Sequence, residues 1–134
     1  DELKKVKVEE LLAPYIKNCK KMLTVDKKLL RSDKERDDVL QSYSVMYSSL
    51  LRLKALYIIG CLIKKKRYSN KDFNKHLISN LKISENELEE LYEIYRGVLH
   101  NKKIKSKIPI SIAENMLIFL EQEIEKYDKK KKEN

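Results

Sequence analysis

Two glycines and two prolines in 134 residues leave this chain almost without the punctuation that strands and hairpins need. Tryptophan is absent, and the two cysteines, Cys19 and Cys61, have neither metal-ligand spacing nor a redox-pair motif. Both fall at apolar helix positions, so buried free thiols and a reducing, cytoplasmic setting are expected. There is no Gly-rich phosphate loop, no Ser-His-Asp arrangement and no Cys/His cluster, so neither a metal nor a cofactor is expected. No apolar run approaches the roughly 20 residues that cross a bilayer, which argues against a membrane partner. The opening Asp1-Glu2-Leu3-Lys4-Lys5 is no signal peptide and lacks an initiator Met, so the sequence is expected to begin downstream of one.

What is present is charge and helical periodicity. Charged residues make up 38% of the chain beside 42% apolar ones, a mixture that suits amphipathic helices with wet outer faces. The length reads as one domain, able to bury about two-thirds of its unfolded surface. Thirty basic against 21 acidic residues give a net charge of +9. Such an excess suits a polyanion partner, and equally a Lys-rich composition with no nucleic-acid role.

Three stretches fit the capping box, a serine followed by a glutamate three residues on: Ser32-Asp33-Lys34-Glu35, Ser84-Glu85-Asn86-Glu87 and Ser111-Ile112-Ala113-Glu114. Ser69-Asn70-Lys71-Asp72 is a looser fourth. Each precedes an apolar run, which predicts four helix starts. A leading helix carries Leu12, Ile16, Cys19, Leu23 and Leu30, with Pro14 near its start or kinking it. The second, expected to be the longest, runs through Val39, Tyr43, Met46, Leu50, Leu53, Tyr57 and Cys61, a seam widened by Leu40, Tyr47, Leu51, Ile58 and Leu62. Glu35, Asp37 and Asp38 would give it an acidic start that its dipole explains. A short third helix holds Phe73, Leu77 and Leu81. The fourth has Leu88, Leu91, Tyr92, Tyr95, Val98 and Leu99, and the fifth Ile112, Met116, Leu120, Ile124 and Tyr127. Nothing alternates with period two over a useful length, so no strand is predicted. The expected architecture is all-α, a mostly up-and-down bundle of about five helices over 1–134, with 128–134 a frayed basic tail.

The chemistry concentrates in Tyr95-Arg96-Gly97-Val98-Leu99-His100-Asn101. Arg96 and His100 are four apart, so a guanidinium and an imidazole share one helix face. Together they can hold a phosphate and move a proton without a metal. Equally, His100 can serve only to close a helix C-terminus, where cations are favoured. Two basic runs flank the connections: Lys64, Lys65, Lys66 and Arg67 after the second helix, and Lys102, Lys103 and Lys105 directly after His100. They matter as one surface only if the fold brings them together. His76 is read as a half-buried packing residue before any site role, because a lone histidine has little specificity.

The arrangement resembles the HEPN domains (higher eukaryotes and prokaryotes nucleotide-binding) over nearly the whole chain. Ser42-Tyr43-Ser44-Val45-Met46-Tyr47-Ser48-Ser49-Leu50-Leu51 is similar to the family's Tyr- and small-residue-rich segment. Lys75-His76-Leu77-Ile78 is similar to its short third helix, with the lysine here preceding the histidine. Tyr95 to Asn101 resembles its arginine-to-histidine motif, and Ile112 to Tyr127 its closing helix. Nuclease members place more residues between arginine and histidine than the Gly97, Val98 and Leu99 found here. Either Arg96 substitutes with a shifted reach, or the motif is lost. The resemblance implies RNA binding and metal-independent, toxin-like endoribonuclease activity, with Arg96 and His100 catalytic in a homodimer. Its alternative implication is a non-catalytic helical module that binds a substrate or partners a separate nucleotidyltransferase antitoxin. A helical dimerisation protein without any ligand also fits the residues.

Overall fold

One apolar helix packs against three others, and the contacts among them set the directions in the fold. The structure is a computed structural model that describes residues 2–133, with side chains over 10–128. It contains α1 (Glu2–Arg36), α2 (Tyr43–Ile63), α3 (Asn70–Leu81), α4 (Glu85–Leu99) and α5 (Ile110–Glu133), and no strand among the described residues. The protein is an all-α bundle.

α1 and α5 run antiparallel, joined by a ladder of ion pairs seven residues apart on both helices. Lys20 meets Asp128 at 2.7 Å, Lys27 meets Glu121 at 2.9 Å and Lys34 meets Glu114 at 3.1 Å. Exposed pairs of this kind add at most about 1 kcal/mol each, so their role is to fix register. The seam beneath them, including Leu12, Ile16, Cys19, Leu23, Met116, Leu120 and Ile124, is buried.

α1 is also antiparallel to α2. At their junction the Asp33 carboxylate accepts hydrogen bonds from the Gln41 and Ser42 backbone N–H groups and from the Ser42 hydroxyl. Farther along, Arg52 donates to the Ser48 hydroxyl at 2.7 Å, and that hydroxyl donates to buried Asp26 at 2.8 Å. Tyr47, near the start of α2, stacks on Tyr95, near the end of α4, and the two helices pack along their lengths, so they run antiparallel. α5 therefore lies parallel to α2, and short α3 crosses between α4 and α5.

α2 packs against α1, α4 and α5, so it buries residues on nearly every side. Met46, Leu50 and Leu53 are buried, while Tyr57 is half-buried against Phe73 and His76. Tyr43–Ile63 also has the length and apolar composition to cross a membrane, although Arg52 and Lys54 interrupt it. A core helix with three neighbours has the same all-round apolar character.

Several local expectations are corrected. α1, not α2, is the longest helix, and Pro14 lies inside it. Ser32 to Glu35 lies within α1 rather than starting a helix, and Asp33 turns inward to hold the backbone just before α2. Glu35, Asp37 and Asp38 accordingly belong to the end of α1 and the turn after it, and Val39 is exposed in the connection. Ser111 sits one residue inside α5. Ser84 and Ser69 cap as predicted: Ser84 forms the full box with Glu87, and Ser69 accepts from the Asp72 N–H. The basic tail continues α5 to Glu133, and its side chains from 129 on lie outside the described residues.

With both glycines inside helices, other residues take the left-handed backbone that ends a helix. Asp38, Lys65, Lys82 and Asn101 all have φ between 52° and 56°. Lys64 to Lys66 and His100 to Lys102 both close by the paired bonds of a Schellman motif, Lys66 N–H to Cys61 O and Lys102 N–H to Gly97 O, each at 2.8 Å.

Candidate functional site

α4 ends at the expected arginine–histidine pair, and the Arg96 guanidinium is drawn to Glu89. Arg96 and His100 are both exposed. The Arg96 guanidinium reaches back two turns and donates to Glu89 at 3.1 Å. His100 is the C-cap: its N–H bonds the Arg96 carbonyl at 2.9 Å, and Asn101 then turns left-handed. Helix closure therefore accounts for the backbone at His100.

The connection after His100 folds back along α4. Gly97 makes this possible, since a Cβ there would collide with the Ile104 side chain. Ser106 donates to Glu93 at 2.7 Å. Ile104, Ser106 and Ile108 turn inward, while Lys102, Lys103, Lys105 and Lys107 stay exposed. A short period-two alternation does this without forming a strand.

Lys64, Lys65, Lys66 and Arg67 are exposed at the far end of α2. Because Tyr95 stacks on Tyr47, the end of α4 lies beside the first turns of α2. From Tyr47 to Lys64 the helix axis advances about 25 Å at a rise of 1.5 Å per residue. The two basic clusters thus occupy opposite ends of the bundle.

One of them opens onto a built site. Between the end of α2, α3 and α5 lies a cleft of about 250 Å³, lined by Tyr57, Gly60, Cys61, Lys64, Lys66 and His76, with Glu123, Lys126 and Tyr127 from α5 and Leu53 beneath. α2 and α5 approach closely because residue 60 is glycine; a Cβ there would run into the Tyr127 hydroxyl. His76 Nε2 is 3.2 Å from Glu123 Oε1, and Asn80 Nδ2 lies 3.3 Å from His76 Nδ1. With Asn80 donating to Nδ1, the imidazole proton sits on Nε2 and points at the carboxylate, a tautomer assigned from the network. The ring is held between Tyr57 and Phe119, at centroid distances of 5.1 and 5.3 Å.

Electrostatics favour an ionised Glu123. Burial pushes its carboxyl up, but the hydrogen bond from His76 and the charges of Lys126 and Lys64 outweigh burial and hold it below the usual carboxylate range. Lys126 Nζ is 4.0 Å from Glu123 Oε2. Burial, and then the Glu123 charge, push the Tyr127 phenol up to about 12. Both His76 nitrogens are engaged, so neither is free to take a proton from Cys61, which lines the same cleft. The arrangement suits holding an anion better than nucleophilic catalysis.

The sequence marked Lys64 and Lys66 for this region and weighed His76 as packing, but it singled out neither Glu123 nor Lys126. Glu123 is 47 residues from His76, and no local pattern links them. Among the described residues, no three His, Cys, Asp or Glu side chains group as a metal site. Compared with protein-family models, curated proteins and solved structures, the chain matches none of them.

Proposed function

We propose that this chain is a HEPN-like RNA-binding protein that grips phosphates with Lys64, Lys65, Lys66 and Arg67. The observation that carries this reading is the exposed basic run at the end of α2, continuous with a cleft edged by Lys126. The net charge of +9 supports it. The test is a salt titration of single-stranded RNA binding. Affinity should fall with a log–log slope of about 0.7 per phosphate contact. Salt-insensitive binding, or none, would remove the proposal.

Metal-independent RNA cleavage by Arg96 and His100 is the second reading. It is favoured by their exposure at one helix end beside Lys102, Lys103 and Lys105. The Glu89 partner is itself 74% exposed, so a substrate phosphate can displace it at little cost. In that chemistry the ribose 2′-OH attacks the adjacent phosphorus and the 5′-oxygen leaves. His100 takes or returns the proton, Arg96 offsets the charge, and a second copy in a homodimer supplies the complementary acid or base. Cleavage of mixed RNA in EDTA that drops by roughly 10²–10⁴ in His100→Ala would support it. Should the chain bind a co-expressed nucleotidyltransferase and cleave nothing, it is the non-catalytic partner module.

A further inference from the structure

The His76 cleft has a charge balance more selective than a generic basic surface. Lys64, Lys66 and Lys126 line it, the charges of Lys64 and Lys126 reach Glu123, and Glu123 returns one carboxylate. The carbonyl end of α2 also faces this region, and with its last carbonyls bonded by the Schellman turn it is worth at most about half a negative charge. About one and a half to two positive charges remain. An internal phosphodiester carries one negative charge, whereas a phosphomonoester carries about 1.5 to 2 at neutral pH. The monoester is the closer match.

The base of the cleft is fixed before any ligand arrives. Asn80 and Glu123 hold the His76 ring from both nitrogens, and Glu123 anchors Lys126 from within its own helix. Glu123 is only 13% exposed, whereas Lys126 is 48% exposed. The carboxylate therefore sits deep in the cleft and the ammonium groups stand at its rim. The backbone of Lys64 and Lys66 is set by the Schellman turn, in which all three N–H groups of 64–66 are bonded to α2 carbonyls.

We propose that this cleft is a phosphomonoester site that recognises the terminal phosphate of an RNA end, with Lys64, Lys66 and Lys126 as its ligands. This deepens the RNA-binding reading, since Lys64 and Lys66 belong to both. It adds end selectivity, which a basic run alone does not provide. Lys126, on α5 and outside that run, is the residue specific to it.

The experiment uses one 3′-labelled short oligoribonucleotide bearing either a 5′-phosphate or a 5′-hydroxyl, a 5′-labelled version with a 3′-phosphate, and inorganic phosphate as competitor. At least one phosphorylated end should bind about tenfold more tightly than the hydroxyl-ended RNA, the scale of one charge-assisted contact. Whichever end gains identifies the source. Millimolar inorganic phosphate should erase the difference without displacing hydroxyl-ended RNA. Lys126→Gln should bring the RNAs to within about twofold, leaving hydroxyl-ended binding and the melting temperature unchanged. Equal affinity for all ends in the wild type, or a preference that survives Lys126→Gln, overturns the site while leaving RNA binding intact. If no RNA binds, yet inorganic phosphate shifts the His76 imidazole resonances in wild type and not in Lys126→Gln, the cleft stands as a phosphate site and the RNA reading falls.

Discussion

The Tyr47 and Tyr95 rings stack with centroids 4.9 Å apart and planes inclined by 23°. That contact joins the start of α2 to the end of α4, two helices that pack along their lengths in opposite directions. Arg96, His100 and the lysines after them are thereby placed a bundle length from Lys64 to Arg67. In one copy of the chain these groups lie on separate patches.

Separate patches should give separable effects on RNA binding. Lys64→Glu/Lys66→Glu is expected to lower affinity and to flatten the salt slope by about 1.4, two contacts at about 0.7 each. Lys102→Glu/Lys103→Glu should change the slope by less than half as much. Fluorescence anisotropy across a range of salt decides this; equal slopes for both variants would show that the far end contributes equally.

Asp26 offers a test of buried charge. Burial pushes its carboxyl up, and the Ser48 hydrogen bond and the Arg52 charge only partly offset this. An acid whose folded value is raised costs stability above that value and nothing below the unfolded one. Asp26→Asn should therefore raise the melting temperature at pH 7–8, with the gain fading as pH falls towards about 4. A lower melting temperature at neutral pH would mean that the Arg52–Ser48–Asp26 chain stabilises more than burial costs.

Asp33 has the opposite sign. Burial pushes it up as well, but bonds from Gln41, from the Ser42 backbone and from the Ser42 hydroxyl, with Arg36 nearby, bring it below the ordinary range. Its contribution is present above the unfolded value of about 4 and is lost as pH falls through the lower folded one. Asp33→Ala should cost roughly 2–4 kcal/mol at neutral pH by removing three hydrogen bonds to a charged acceptor. Urea unfolding at pH 7 and at pH 3 measures both the loss and its shrinkage in acid.

Lys82 pays for a left-handed cap without glycine's freedom. Lys82→Gly should stabilise by a few tenths to about 1 kcal/mol, the relieved Cβ strain less the added freedom of the unfolded chain. A fall in thermal midpoint would show that the Lys82 side chain contributes more than its backbone costs.

Helix content was legible because it rests on short-range geometry. Phe73, Leu77 and Leu81 share a face by helical rise alone, and all three are buried. At Ser84 the box closes between residues three apart, so local chemistry sufficed. The same pattern misled at Ser32, where any exposed helix surface can place a serine three residues before a glutamate. Only the approach of Ser42 tied Asp33 to the start of the next helix.

The sequence by itself determined that the chain is helical, roughly where its helices carry their apolar faces, and that two of the connections are basic. Tertiary structure decided the rest. The direction of α4, the tether of Arg96 to Glu89, the closeness of α5 to Gly60 and the pairing of His76 with Glu123 depend on helices meeting across the core. Periodicity repeats within a helix and names the face that is buried. It carries no information about which residue of a distant helix will lie opposite, and a binding cleft is made of those oppositions.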